Sequence, residues 1–180
     1  MLRHKLRILG IAALFILTLC GGVIALTSLH QVTEAGRSEV KVGQLHDLTE
    51  LRLTVRKMQY DIVQVQQFLT DFSATRGQSG LDDGLKQAAA AAVDFRARMQ
   101  TARATAARQG LSDVAARLGA VEAAFPAYYA TGQLMAHTYA NDGTEAGNRF
   151  MPRFDPADDG IVEAQEPLLK AIAAQAETLL

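Results

Sequence analysis

The sequence predicts an all-α protein, an N-terminal transmembrane helix continuing into an antiparallel up-down-up-down four-helix bundle. Three observations predict it. Residues 8–29 carry no charge, apolar residues then recur in alternating steps of three and four along four successive segments, and the four prolines begin only at Pro126. Most of the chain therefore lacks a strong helix breaker.

Composition agrees. Hydrophobic residues make up 49 %, aromatic residues only 6 %, and tryptophan is absent. Abundant alanine lets helix backbones approach closely. The 180 residues suffice for one domain and a membrane segment. A net charge of −1 leaves no basic stripe to displace counterions from phosphates, which excludes nucleic acid as a partner. Cys20 is the only cysteine, so neither a disulfide framework nor a thiolate metal site can form within the chain.

The uncharged run 8–29 is about 22 residues long, close to the ~20 that a spanning helix needs. Arg3, Lys5 and Arg7 precede it. The positive-inside bias then keeps a basic tail, 1–7, in the cytoplasm of a single-pass inner-membrane protein and sends 30–180 to the periplasm. A cleaved signal would have a shorter apolar core. A lipoprotein signal would place a small residue before Cys20, where Leu19 stands. A retained signal-anchor fits better than either.

Beyond the anchor, Leu48, Leu51, Val55, Met58, Ile62, Val65, Leu69 and Phe72 form the seam of a first bundle helix. Arg76, Gly77, Gln78, Ser79 and Gly80 break it. The second seam is Leu81, Leu85, Ala88, Ala92, Phe95, Met99, Ala102 and Ala106. Asp82 or Asp83 is its expected N-cap, and Gln109 with Gly110 its end. Ser112 is an expected N-cap for the third helix, whose seam is Leu111, Val114, Leu118, Val121, Phe125, Tyr128, Gly132, Met135 and Tyr139. Pro126 and Gly132 predict a kink within it. Asn141, Asp142 and Gly143 close it, and a loop holding Pro152 and Pro156 is expected next. The fourth helix is expected to start between Asp155 and Ala157, with a weaker seam of Ile161, Leu168, Ile172 and Leu179.

Length adds geometry. The first helix covers roughly 45 residues past the membrane, about 68 Å at 1.5 Å per residue. The next two cover only its distal part, from Leu48 outward. The fourth is expected to return only partway toward the membrane by Leu180, as a truncated helix in a bundle of marginal stability.

An uncleaved anchor, a long helix and a distal bundle describe a receptor input domain. The sequence resembles the four-helix-bundle ligand-binding domain of methyl-accepting chemotaxis proteins. The stretch VQVQQFLTDFSATR at 63–76 looks like the end of the first bundle helix in one branch of that family, LDDG at 81–84 like the start of the second, and GNRFMPRFD at 147–155 like the lead into the fourth. The resemblance covers nearly the whole chain. It implies a homodimer through the first helix, a small-molecule ligand, and a signal passed by displacement of the fourth helix to a cytoplasmic output module that is not in this sequence. Similar bundles feed histidine kinases and diguanylate cyclases, and a membrane-anchored scaffold or adaptor without a small ligand is the remaining alternative. The arginines that grip an amino-acid carboxylate in better-known receptors of this kind have no residue-by-residue match here.

Two groups of residues are candidate ligand contacts. Asp61 and Gln66 flank the first seam, and counting heights places Asp61 level with Arg96 and Tyr128. An acid, a guanidinium and a phenol together can hold a polar ligand or simply fix helix register. At the distal end Arg76, Arg149 and Arg153 stand near Phe72, Tyr139, Phe150 and Phe154, a setting for a small carboxylate or phosphate. Asp71, Asp82, Asp83 and Asp155 lie close enough to neutralise them. Gln59, Gln64, Gln66 and Gln67 form a polar cluster suited to a pocket, a dimer seam or plain solvent.

Cofactor chemistry has little to stand on. There is no Cys-x-x-Cys-His and no Glu-x-x-His pair for a di-iron bundle. Met58 and Met99 are seam residues, and Met135 and His137 point in different directions. No nucleophile–base pair or phosphate-cradling glycine loop is present. The expectation is a non-enzyme without cofactor or metal.

Overall fold

A computed structural model of the chain describes the backbone of residues 2–179 and the side chains of residues 38–179. It contains α1 (Leu2–Thr75), α2 (Gly84–Arg108), α3 (Ser112–Asp142) and α4 (Thr144–Glu177), with no strand among the described residues. Contacts divide the chain into Met1–Gly43 and Gln44–Leu180, and the second unit holds the four-helix bundle. The expected basic tail and membrane anchor lie outside the residues whose side chains are described. Among the described residues, no helix is long and apolar enough to cross a membrane.

The residues that meet fix the helix directions. Gln109 bonds to Asp47 and Arg98 to Asp61, so α2 descends as α1 rises. Tyr128 reaches Ile62, and Gly132 abuts Leu69, so α3 runs parallel to α1. Gln66 bonds to Asp158, whereas Leu48 shares a small cavity with Gln175 and Leu179, so α4 descends. The bundle is up-down-up-down.

The apolar seams form its core. From Leu48 to Phe72 every expected seam residue of α1 is buried, as are Ala88, Ala92, Phe95, Met99, Ala102 and Ala106 of α2. Val114, Leu118, Val121, Phe125, Tyr128 and Met135 of α3 meet them, with Ile161, Leu168 and Ile172 of α4. Each large side chain buried this way contributes about 1.5–3 kcal/mol relative to exposure. Aromatic rings bridge three helices: Phe95 stacks on Phe125 at 4.0 Å, Phe125 lies 6.0 Å from Tyr128, and Tyr128 lies 5.8 Å from Phe154. Leu81 departs from the pattern. It precedes α2, in the turn, and is exposed.

The helix ends follow their local chemistry. At the end of α1 the Gly77 amide donates to the Phe72 carbonyl and the Arg76 amide to Ser73, while Arg76 takes a left-handed φ of 55°. This is a Schellman closure with arginine where glycine is usual. α2 closes in the same way on Gly110, with Leu111 donating to Ala106. The expected caps differ in detail. Asp83 occupies the N-cap of α2 but its carboxylate accepts from Gln87 rather than from the backbone, and Leu111, not Ser112, precedes α3.

α3 runs unbroken through Pro126, whose ring faces solvent. One expectation is corrected. The segment expected as a loop is helical, because α4 begins at Thr144 and passes through Pro152, Pro156 and Pro167. All three prolines are exposed, so the carbonyls they leave unbonded sit on the wet side of the helix. The opposite side buries Gly147 and Phe154. Burial of that face outweighs the lost hydrogen bonds. With 34 residues, α4 reaches the level of Gln44 and Leu48.

Candidate functional site

A cavity of about 440 Å³ opens between α1, α3 and α4 near the turn that follows α1. Its size falls within the range of small-molecule sites. α1 supplies Gln66, Thr70, Ser73 and Ala74, α3 supplies Met135 and Tyr139, and α4 supplies Met151, Phe154, Asp155 and Asp158. Arg76 and Thr144 stand at its distal edge. α2 contributes nothing to it.

Local sequence seats two of the walls. Gly132 and Gly147 lack the side chains that would hold the Phe154 and Tyr139 rings off the backbone. A Cβ on Gly147 would lie 2.4 Å from the Tyr139 ring, and one on Gly132 would lie 2.7 Å from Leu69 and 3.1 Å from Phe154. The rings thus rest directly on backbone. The Tyr139 hydroxyl donates to Asn148 Oδ1 at 2.7 Å, which fixes the ring as one wall. Ser73 turns its hydroxyl back to the Leu69 carbonyl, 2.7 Å away, and offers the cavity little polarity.

Charge is unevenly placed. Asp158 accepts from Gln66 Nε2 at 3.3 Å. Burial pushes its carboxyl above the ordinary carboxylate value, the charges of Asp159 and Asp155 push it further, and the Gln66 bond offsets part of this. Asp155 is one helical turn away on the same side of α4. Neither carboxylate has an ion-pair partner among the described residues. Arg76 lies ten positions beyond Gln66, roughly 15 Å along a helix axis, and forms no ion pair with Asp158.

The expected site residues scatter. Gln66 and Arg76, assigned to different groups from the sequence, both line this one cavity. Asp61 is buried but pairs with Arg98, not Arg96. Two positions turn a helix by about 200°, and Arg96 accordingly faces α3, 5.3 Å from the Phe125 ring centre and 5.7 Å from that of Tyr129. The Asp61 carboxyl is raised by burial, against the hydrogen bond and charge of Arg98. Tyr128 is fully buried and donates to the Ile62 carbonyl, so Asp61, Arg96 and Tyr128 do not converge. Arg149 pairs with Glu145 at 2.6 Å, and Arg153 lies over Phe150 at 5.6 Å. Both are exposed and neither lines the cavity.

Asp158 was the missed residue. Stepping back three from Ile161 along the fourth seam lands on it, and an acid at a core position is a readable signal. A shallower hollow of about 250 Å³ lies between α1 and α2, lined by Tyr60, Asp61, Phe68 and Asp94 among others. Among the described residues no group of three or more His, Cys, Asp or Glu side chains is placed to hold a metal ion.

Comparison with protein-family models, curated proteins and solved structures returns no match to this chain.

Proposed function

We propose that this chain is the extracytoplasmic sensor part of a membrane-anchored bacterial chemoreceptor, whose bundle binds a small molecule and passes the event on as a displacement of α4. The observation that carries this reading is the cavity. It is bounded by α1 on one side and α4 on the other, so an occupant touches both. A ligand shifts a conformational equilibrium only through contacts that differ between the two states. One that bridges Gln66 and Asp158 has such contacts whenever α4 moves along α1.

The proposed dimer through the first helix has a matching surface. Leu53, Tyr60 and Val63 are exposed at 47 %, 63 % and 55 %. They follow steps of seven and three along the face of α1 turned away from the core, which is a second seam. The same bundle would serve a histidine kinase or diguanylate cyclase equally well, and an adaptor reading needs no occupied cavity.

Thermal stabilisation separates a ligand-binding sensor from an adaptor. The purified full chain, screened against a broad panel of metabolites, is expected to gain about 2.7 kcal/mol from a ligand at 100 times its Kd. Thr70→Trp, which fills the cavity from the exposed side of α1, is expected to abolish that gain. No stabilising compound across the panel would favour the adaptor. For topology, Ser79→Cys in the turn after α1 should react with an impermeant maleimide in cells with a permeable outer membrane. Labelling only after inner-membrane lysis would overturn the receptor reading.

A further inference from the structure

We propose that the cavity selects a small organic cation, an amine or quaternary ammonium on an apolar body, with its nitrogen beside Asp155 and Asp158. The inference rests on the cavity being a ligand site and adds the class of ligand.

Three observations meet there. First, the space is real and mixed in character, with Met135, Met151, Phe154 and Tyr139 forming an apolar wall opposite the polar face of α1. Second, its lining carries two carboxylates and one guanidinium. The carboxylates sit together at one end, where no protein cation reaches either of them among the described residues. Third, among the described residues the only side-chain hydrogen bond to Asp158 comes from a neutral amide, that of Gln66. A partly buried carboxylate held by one neutral donor, with a second carboxylate one turn away, is under-compensated. A cationic nitrogen is the group that offsets both.

Aromatic rings strengthen the choice. Phe154 and Tyr139 line the same space, and the face of such a ring attracts an ammonium that has left water. An anionic ligand would meet Asp155 and Asp158 at close range. Arg76, at the far edge, can engage a hydrogen-bond acceptor on the distal end of the occupant but does not change the sign of the end that holds the two carboxylates. Inorganic cations fit poorly, since two carboxylates and one amide oxygen supply too few ligands for calcium or magnesium.

The test uses matched probes on the full chain at pH 7: phenethylamine, 3-phenylpropionate and 2-phenylethanol, with choline and calcium chloride as further arms, read by calorimetry and thermal shift. Phenethylamine or choline is expected to bind at least tenfold more tightly than the carboxylate and the alcohol. Asp155→Asn, at an exposed position that leaves the fold untouched, and Asp158→Asn should each weaken the amine more than tenfold without strengthening the alcohol. Equal or tighter binding of 3-phenylpropionate or 2-phenylethanol would overturn the cation assignment and leave the cavity as a ligand site. Stabilisation by calcium alone would overturn it in favour of a metal. Should no probe bind, and the metabolite panel also stay silent, both the assignment and the sensor reading fail.

Discussion

The Tyr128 hydroxyl donates to the main-chain carbonyl of Ile62 at 2.9 Å, a bond between two helices made in the middle of the core. That carbonyl lies within α1, so the phenol donates to the α1 backbone rather than to a side-chain partner. Burial, and then the charge of Asp158, push the phenol well above its ordinary pKa, which favours the protonated, donating form.

Tyr128→Phe tests this bond. The ring keeps its packing between Phe125 and Phe154, and only the hydroxyl is lost. The expected cost is about 0.5–1.5 kcal/mol, seen as a drop of a few degrees in Tm. An unchanged Tm would mean the hydroxyl is satisfied equally well without Ile62.

Arg98→Met leaves Asp61 buried without its cation. The expected loss is about 1–3 kcal/mol at pH 7, discounted because Arg98 itself is partly exposed. Since burial already raises Asp61, removing Arg98 raises it further, and the loss should shrink as acid protonates the carboxyl. Urea melts at pH 7 and pH 5 check both points, and a cost that grows on acidification would contradict the assignment.

Asp158 is shifted in the same direction as Asp61, but here the substitution is expected to stabilise. Its native carboxyl holds a proton more tightly than the unfolded chain does, for the reasons of burial and neighbouring Asp159 and Asp155. The stability linked to that proton is full below the ordinary carboxylate value and is lost as pH rises through the raised native value. Asp158→Asn should therefore be more stable than the parent at pH 7, and the advantage should vanish near pH 4. A variant less stable at pH 7 would show that the Gln66 bond outweighs the burial.

Arg76→Gly removes the side chain from a left-handed position. Relief of backbone strain should raise stability by roughly 1 kcal/mol. If Arg76 also engages the far end of the ligand, affinity should fall in the same variant, the usual opposition between stability and a strained functional residue. Thermal melts and ligand titration on one preparation measure both.

Gly147→Ala drives a methyl into the Tyr139 ring, which must swing away. The expected cost is about 1–3 kcal/mol, and because that ring walls the cavity, ligand affinity should change with it. A stable variant with unaltered binding would remove Tyr139 from the site.

The sequence made the helices and their inner faces legible because a step of three and four is a property of the chain itself. From Leu51 to Phe72 and from Ala88 to Ala106 each expected seam position is buried. Rotation about an axis is harder to carry between helices. An error of two residues in height exchanged Arg98 for Arg96, and with it an ion pair for a ring contact. α4 was hidden for another reason. Pro152 and Pro156 read as a break because their cost is local, whereas the burial of Phe154 against Tyr128 that outweighs it comes from a residue 26 positions earlier in the chain. The cavity fell in that unread stretch. Gln66 and Arg76 were found, since they lie on α1, but Asp158, Met151 and Thr144 lie on the helix segment expected as loop or beside it.

A single residue, Gly143, joins α3 to α4, with φ 87° and ψ 173°, a geometry natural only to glycine. Its position beside the cavity makes it a fulcrum. α4 extends about 51 Å from that point, so a tilt of one degree there sweeps the opposite tip through roughly 0.9 Å. Whatever settles between Tyr139 and Asp158 bears on the half of α4 nearer that pivot, so slight adjustments are amplified at the end that lies level with Leu48.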